Sequence, residues 1–223
     1  MRVACLAVAV VAVAAGLYLA WSQSSQEDAV RSKVLAEART LNVEMQAVWD
    51  YVDDAQTLIN VNDDGSYSFK GVYCSVAGKA IAKRFTRDSE GYVIRYVRED
   101  PRSSTDEPDD FEAEALERFE SGEATEHYET AIVDGEPSFR YSSALVIKRN
   151  CLQCHGEPAG EQDVTGFLKE GMAQGDVAGA GGKIIPLCVL EAEAPPAVKG
   201  PPAFFFFPAA DLVAGVAVAF SRG

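Results

Sequence analysis

ATEHYETAIVDGEPSFRYSSALVIKRNCLQCHG, residues 124–156, decides how the chain is read. ATEHYETAIV and SFRYSSALVIK have the composition of strands, and Asp134-Gly135-Glu136-Pro137 between them is turn chemistry. The spacing therefore predicts a β-hairpin. Its second strand runs straight into Cys151-Leu152-Gln153-Cys154-His155, which places a Cys-x-x-Cys-His motif at the edge of a sheet.

Three chemistries compete for this motif. Covalent haem attachment suits it geometrically: two thiols reach the two vinyl groups on one edge of a porphyrin, and the adjacent imidazole turns onto the iron. Cys151 and Cys154 would form the thioethers and His155 would be the proximal ligand of a single haem c. A closed zinc site needs four ligands, and no second Cys or His pair is present to complete one. A thioredoxin-type dithiol needs a helix start within a βαβ pattern, which the sequence does not offer. Haem is the favoured cofactor. The sixth ligand stays open among Cys74, His127, Met45, Met172 and Cys188, and axial identity matters because it sets potential and access.

Around the hairpin the pattern reads as α+β. Residues 3–21, VACLAVAVVAVAAGLYLAW, carry no charge over a length that spans a bilayer core. Arg2 precedes them and SQSSQED follows, so a single-pass anchor is expected with the domain facing the periplasm or exterior. Cleavage after the Ala12-Val13-Ala14 site is the alternative. Apolar residues then recur at Val30, Val34, Ala38, Leu41, Met45, Val48, Val52, Ala55 and Ile59, one stripe of a long helix. That stripe faces the core or, in a second reading, a homodimer seam. A second helix is expected over 72–85 with Val72, Val76, Ala80 and Ile81 on one side. EGYVIRYVRED reads as a strand, and Asp109 or Asp110 caps a third helix closed by Gly122. Residues 156–183 read as Gly-rich loop, KIIPLCVL as a strand and Leu212 to Phe220 as the last strand. The expected division is 1–23 anchor, 24–60 long helix and 61–223 haem domain, with the boundary after 182 uncertain.

CSVAGKAIAKRF, YVIRYVREDPRSSTDEPDDFEAEALERFESG, CLQCHG and DVTGFLKEGMAQGDVAGA resemble the membrane-anchored, single-haem, PAS-like sensor domains that occur alone or in histidine kinases and chemoreceptors. The likeness covers about residues 25–180; the PR-x5-PDDFE stretch, Pro101 to Glu112, and CLQCHG are its most specific parts. It implies a PAS-like antiparallel sheet with a long amino-terminal helix, and it points to Cys74 as the distal ligand. Arg98 and Arg102 beside Pro101 are candidates for pairing with haem propionates. The chain departs from the family in its segment after Ala180. The functions this implies are redox or diatomic-gas sensing; the rivals are a tethered electron-transfer cytochrome or a haem-bearing subunit of a membrane redox complex.

A net charge of −14 argues against nucleic-acid binding. Between Glu99 and Glu129 stand 13 acidic residues against Arg102 and Arg118, a solvated face or a dock for a basic redox or signalling partner. No nucleophile-and-base set accompanies the motif, so an enzyme is not expected.

Overall fold

The computed structural model describes residues 2–188, with side chains from Ala9 onward. The chain divides into two units, Met1–Leu187 and Cys188–Gly223. The expected strand from Leu212 to Phe220 lies outside the described residues.

Helix α1 runs unbroken over Arg2–Ile59, so the expected anchor and long helix form one rod. Among the described residues no helix is long and apolar enough to cross a membrane. From Val34 downward α1 packs on its own domain: Val34, Ala38 and Met45 are buried, and the rest of the stripe is half-buried. Its end is followed by α2 (Cys74–Asp88), β1 (Val93–Val97), α3 (Asp110–Glu120), β2 (Glu126–Val133), β3 (Glu136–Val146), the four-residue α4 (Leu152–His155) and β4 (Val177–Pro186).

The four strands form one antiparallel sheet in the order β1-β4-β3-β2. Asp134 and Gly135 both take positive φ, 53° and 87°, the two-residue turn that matches strand twist. Alternation then sorts the faces. Ile94 and Tyr96 pack with Met45 of α1 and Ala82 of α2. Val97 and Ala180 pack on the other face with Ala115, Leu116 and Phe119 of α3. Asp109 starts α3 as expected, its carboxylate accepting from Glu112 N at 3.0 Å while Glu112 accepts from Asp109 N at 3.1 Å.

Three expectations are corrected. The last described strand is β4, which begins at Val177, inside the stretch read as loop. Its Val-Ala-Gly-Ala-Gly-Gly start lacks bulk because its neighbours supply it. A Cβ on Gly179 would meet the Val97 carbonyl oxygen at 2.4 Å, one on Gly181 the Tyr96 ring at 3.3 Å and one on Gly182 the Glu112 carboxylate at 3.1 Å. Second, the motif does not lie at a sheet edge. It leaves the end of β3, an inner strand flanked by β4 and β2. Third, α2 buries Gly78 and Ala82, whereas Val76 and Ile81 face outward. Trp49 lies so close that a Cβ on Gly78 would meet its ring at 2.5 Å, so the contact face is the one with the smallest side chains.

Candidate haem site

Where β1, β3 and β4 meet the ends of α1 and α2, a cavity of about 730 Å3 opens, within the range of sites for small molecules and cofactors. Trp49, Tyr73, Tyr96, Val97, Leu145 and Ile147 give it an apolar lining. Cys74, Arg98, Arg102, Cys151, Cys154 and His155 all line it too, so residues up to eighty positions apart converge on one space. Of the other candidates for the sixth ligand, Met45, His127 and Met172 do not line the cavity. Met45 is buried in the core beside Ala82. His127 stacks on Phe111 at 4.9 Å, and Met172 uses its N–H to bond the His155 carbonyl at 2.7 Å. Cys188 is exposed and belongs to the second unit.

The motif follows β3 through a bulge at Leu145/Val146 and a 3-10 turn over Arg149–Cys151, stabilised where Lys148 N–H reaches Cys151 Sγ at 3.3 Å. Cys151 then caps α4, so a helix start does follow the strand, contrary to expectation, although it is only four residues long. Burial pushes Cys154 up to about 11 and raises Cys151, whereas redox dithiols carry a lowered pKa. Among the described residues no group of three or more His, Cys, Asp or Glu is arranged to hold a metal ion.

His155 is oriented by a residue the sequence reading missed. Its Nδ1 lies 2.8 Å from Glu170 Oε2, which leaves Nε2 for a metal and makes the imidazole a stronger donor. Glu170 is in turn gripped by Arg98 Nη1 and Arg102 Nε, each at 3.1 Å. Arg102 also donates to Asp163 at 2.8 Å and to the carbonyls of Cys154 and Leu168 at 3.1 and 3.2 Å. The two arginines expected to meet propionates thus hold the proximal support in place. With His155 and these guanidiniums around it, Glu170 has its carboxyl pKa lowered despite burial, and Thr165 and Arg102 lower that of Asp163.

Cys74 reaches the cavity from the first turn of α2. Burial, then the nearby Asp53 and Cys151, push its thiol up to about 12, while the Ser75 main chain and the Trp49 side chain work the other way. Its main-chain N–H donates to Gln56 Oε1 at 3.3 Å. The lining thus offers two thiols, an oriented imidazole and a third thiol around an apolar space, a donor set that fits a covalently held haem.

Residues 25–186 match the model of the Tll0287-like family. The chain belongs to the Tll0287-like family. Its fold is also that of the crystal structure of the cyanobacterial heme-protein Tll0287, at TM-score 0.53 over 69% of this chain and 95% of that one. Sequence identity is 17%, so that likeness concerns the fold. No curated protein matches.

Within this Tll0287-like domain, a signal for the missed residues was present in the sequence. Trp49, Asp53, Gln56 and Asn60 repeat the 4-3-4 spacing of Val48, Val52, Ala55 and Ile59, displaced by one position. Two stripes side by side, one apolar and one polar, mark a helix that carries a site on the flank of its core face. Glu170 had no such periodic signal, since it sits in a loop.

Proposed function

We propose that the protein is a monohaem c-type member of the family with a PAS-like sensor domain, tethered by residues 3–21 with that domain outside the cytoplasm, and that it senses redox state or a diatomic gas. The observation that carries this reading is the meeting of Cys151, Cys154, His155 and Cys74 on one apolar cavity. Haem held there supplies an iron that changes oxidation state and takes small gaseous ligands. Cys151 and Cys154 would hold it through thioethers, and His155 would ligate through Nε2 while Glu170 keeps a proton on Nδ1. Cys74 would ligate as thiolate, its proton displaced by the metal. Arg98, with one N–H on Glu170, retains donors for a propionate.

Electron transfer to a partner protein is the second reading. Val76, Val146 and Phe167 line the cavity yet stand about half exposed, an apolar rim that a partner could approach. The acidic segment supports it less than its count suggests. Asp106, Asp109, Glu112, Glu114 and Glu126 are engaged by Lys79, Arg140, Arg95, Arg118 and Arg39.

Full-length protein made with haem-attachment machinery decides between the two. Sensing predicts a low potential, a thiolate-type spectrum lost in Cys74→Ala, and CO binding after reduction. A high potential, indifference to CO and no spectral change in Cys74→Ala would leave electron transfer. A chain without covalent haem would end both.

A further inference from the structure

The segments that bracket the cavity meet on one helix. Gln56 of α1, 3% exposed, accepts the Cys74 N–H at 3.3 Å and donates Nε2 to Asp53 Oδ1 at 2.9 Å. Asp53 Oδ2 accepts from Nδ2 of Asn150, directly before Cys151, at 2.9 Å. Asn60 fastens the lower end, its Nδ2 reaching the carbonyls of Gln56 at 2.8 Å and Val72 at 2.9 Å. A continuous hydrogen-bonded chain, Asn150–Asp53–Gln56–Cys74, thus joins the attachment segment to the first turn of α2 by way of α1.

Packing alone does not call for this chain. The adjacent apolar stripe already seats α1, and apolar residues in place of a buried polar network are often neutral or stabilising. Asp53 is nevertheless a buried carboxylate, and among the described residues no cation lies within ion-pair range of it; Lys148 pairs with Asp50 instead. Such a group is retained against a desolvation cost.

We propose that Asp53 and Gln56 are positioning residues that make α1 the output element of the site, passing the release of Cys74 from the iron to the end of that helix. This rests on the reading of Cys74 as the sixth ligand. Bound and released Cys74 are the two states that coupling between sites requires. While Cys74 is bound, the first turn of α2 is fixed and its N–H stays on Gln56. Were a diatomic ligand to take its place on a haem held there, the sulfur would leave with its electron pair and take a proton from water. The first turn is then free to withdraw, Gln56 loses a partner and Asp53 loses its orienting amide.

Hydrogen exchange on full-length, haem-loaded protein tests this, with the oxidised form compared with the reduced form under CO. Amides of residues 53–60 and of Cys74 should exchange roughly fivefold faster under CO. Gln56→Met should show the fast exchange before CO is added and gain nothing afterwards, and Cys74→Ala should not respond to CO. A CO-bound spectrum with unchanged α1 exchange, or the wild-type increment persisting in Gln56→Met, overturns the coupling alone. If Gln56→Met does not fold, Asn150→Ala cuts the far link and should reduce the response to about half; a full response there overturns the proposal. Wild-type protein lacking haem or any thiolate signature brings down the functional reading, and this inference with it.

Discussion

On the His155 side of the cavity, Glu170 holds the imidazole, Arg98 and Arg102 hold Glu170, and Asp163 and two carbonyls hold Arg102. On the Cys74 side, the start of α2 is tied to α1 by neutral hydrogen bonds, from Cys74 N–H to Gln56 at 3.3 Å and from Asn60 to the Val72 carbonyl at 2.9 Å, and the Cys74 thiol lies near Trp49. Charge-assisted bonds are worth about twice neutral ones, so His155 is held by stronger bonds than the main chain of Cys74. The proposed pairing of a permanent His155 with a displaceable Cys74 would use this asymmetry.

The sharpest break is Arg102→Leu. It removes the only ion pair of Asp163 among the described residues, leaving that buried carboxylate to Thr165 and Phe167, and loosens Glu170, so about 3 kcal/mol of stability should be lost in urea denaturation. The same pair sets an acid limit. Asp163 and Glu170 both have folded pKa values below their ordinary ones. Their contribution is therefore present above the unfolded values near pH 4 and is lost as pH falls through the folded values. Thermal scans from about pH 6 down to pH 3 should show that loss in wild type and a flatter profile in Arg102→Leu.

Gly78→Ala attacks the other wall. Its Cβ would press on Trp49, at about 1–3 kcal/mol for overpacking against a gain of up to about 1 kcal/mol in helix propensity. A net loss of about 1–2 kcal/mol, together with an altered spectrum of the haem-loaded protein, is expected from moving Trp49 off Cys74. If stability falls and the spectrum does not change, Trp49 has no hold on the ligand. The smallest effect belongs to Lys148→Ala. Its ion pair with Asp50 is half exposed, and the loss should stay under about 1 kcal/mol with no change at either wall.

Much of this was readable in the sequence because it is periodic or local. The α1 stripe, the Asp134-Gly135 turn, the Asp109 cap and the Cys-x-x-Cys-His spacing each follow from neighbours in the chain. What was missed depends on distant partners. The β4 glycines read as loop until Tyr96 and Glu112 are seen filling the space beside them. Val76 and Ile81 look like a core face until Trp49 selects Gly78 instead. Arg98 and Arg102 look free for an anionic ligand until Glu170, some seventy residues later, claims them. Lys183 gave no signal of its own: it stands in KIIPLC, read only as a strand, and is buried against Tyr141 and Asn42 with its pKa lowered to about 7 by desolvation.

The continuity of α1 fixes a length scale. At 1.5 Å per residue, the 28 steps from Trp21 to Trp49 put the cavity roughly 40 Å along the helix from the last residue of the apolar stretch. If that stretch lies in a bilayer with α1 upright, a partner confined to the lipid plane does not reach the cavity. Communication with the membrane must then travel down the rod itself or be carried by a protein that stands as tall.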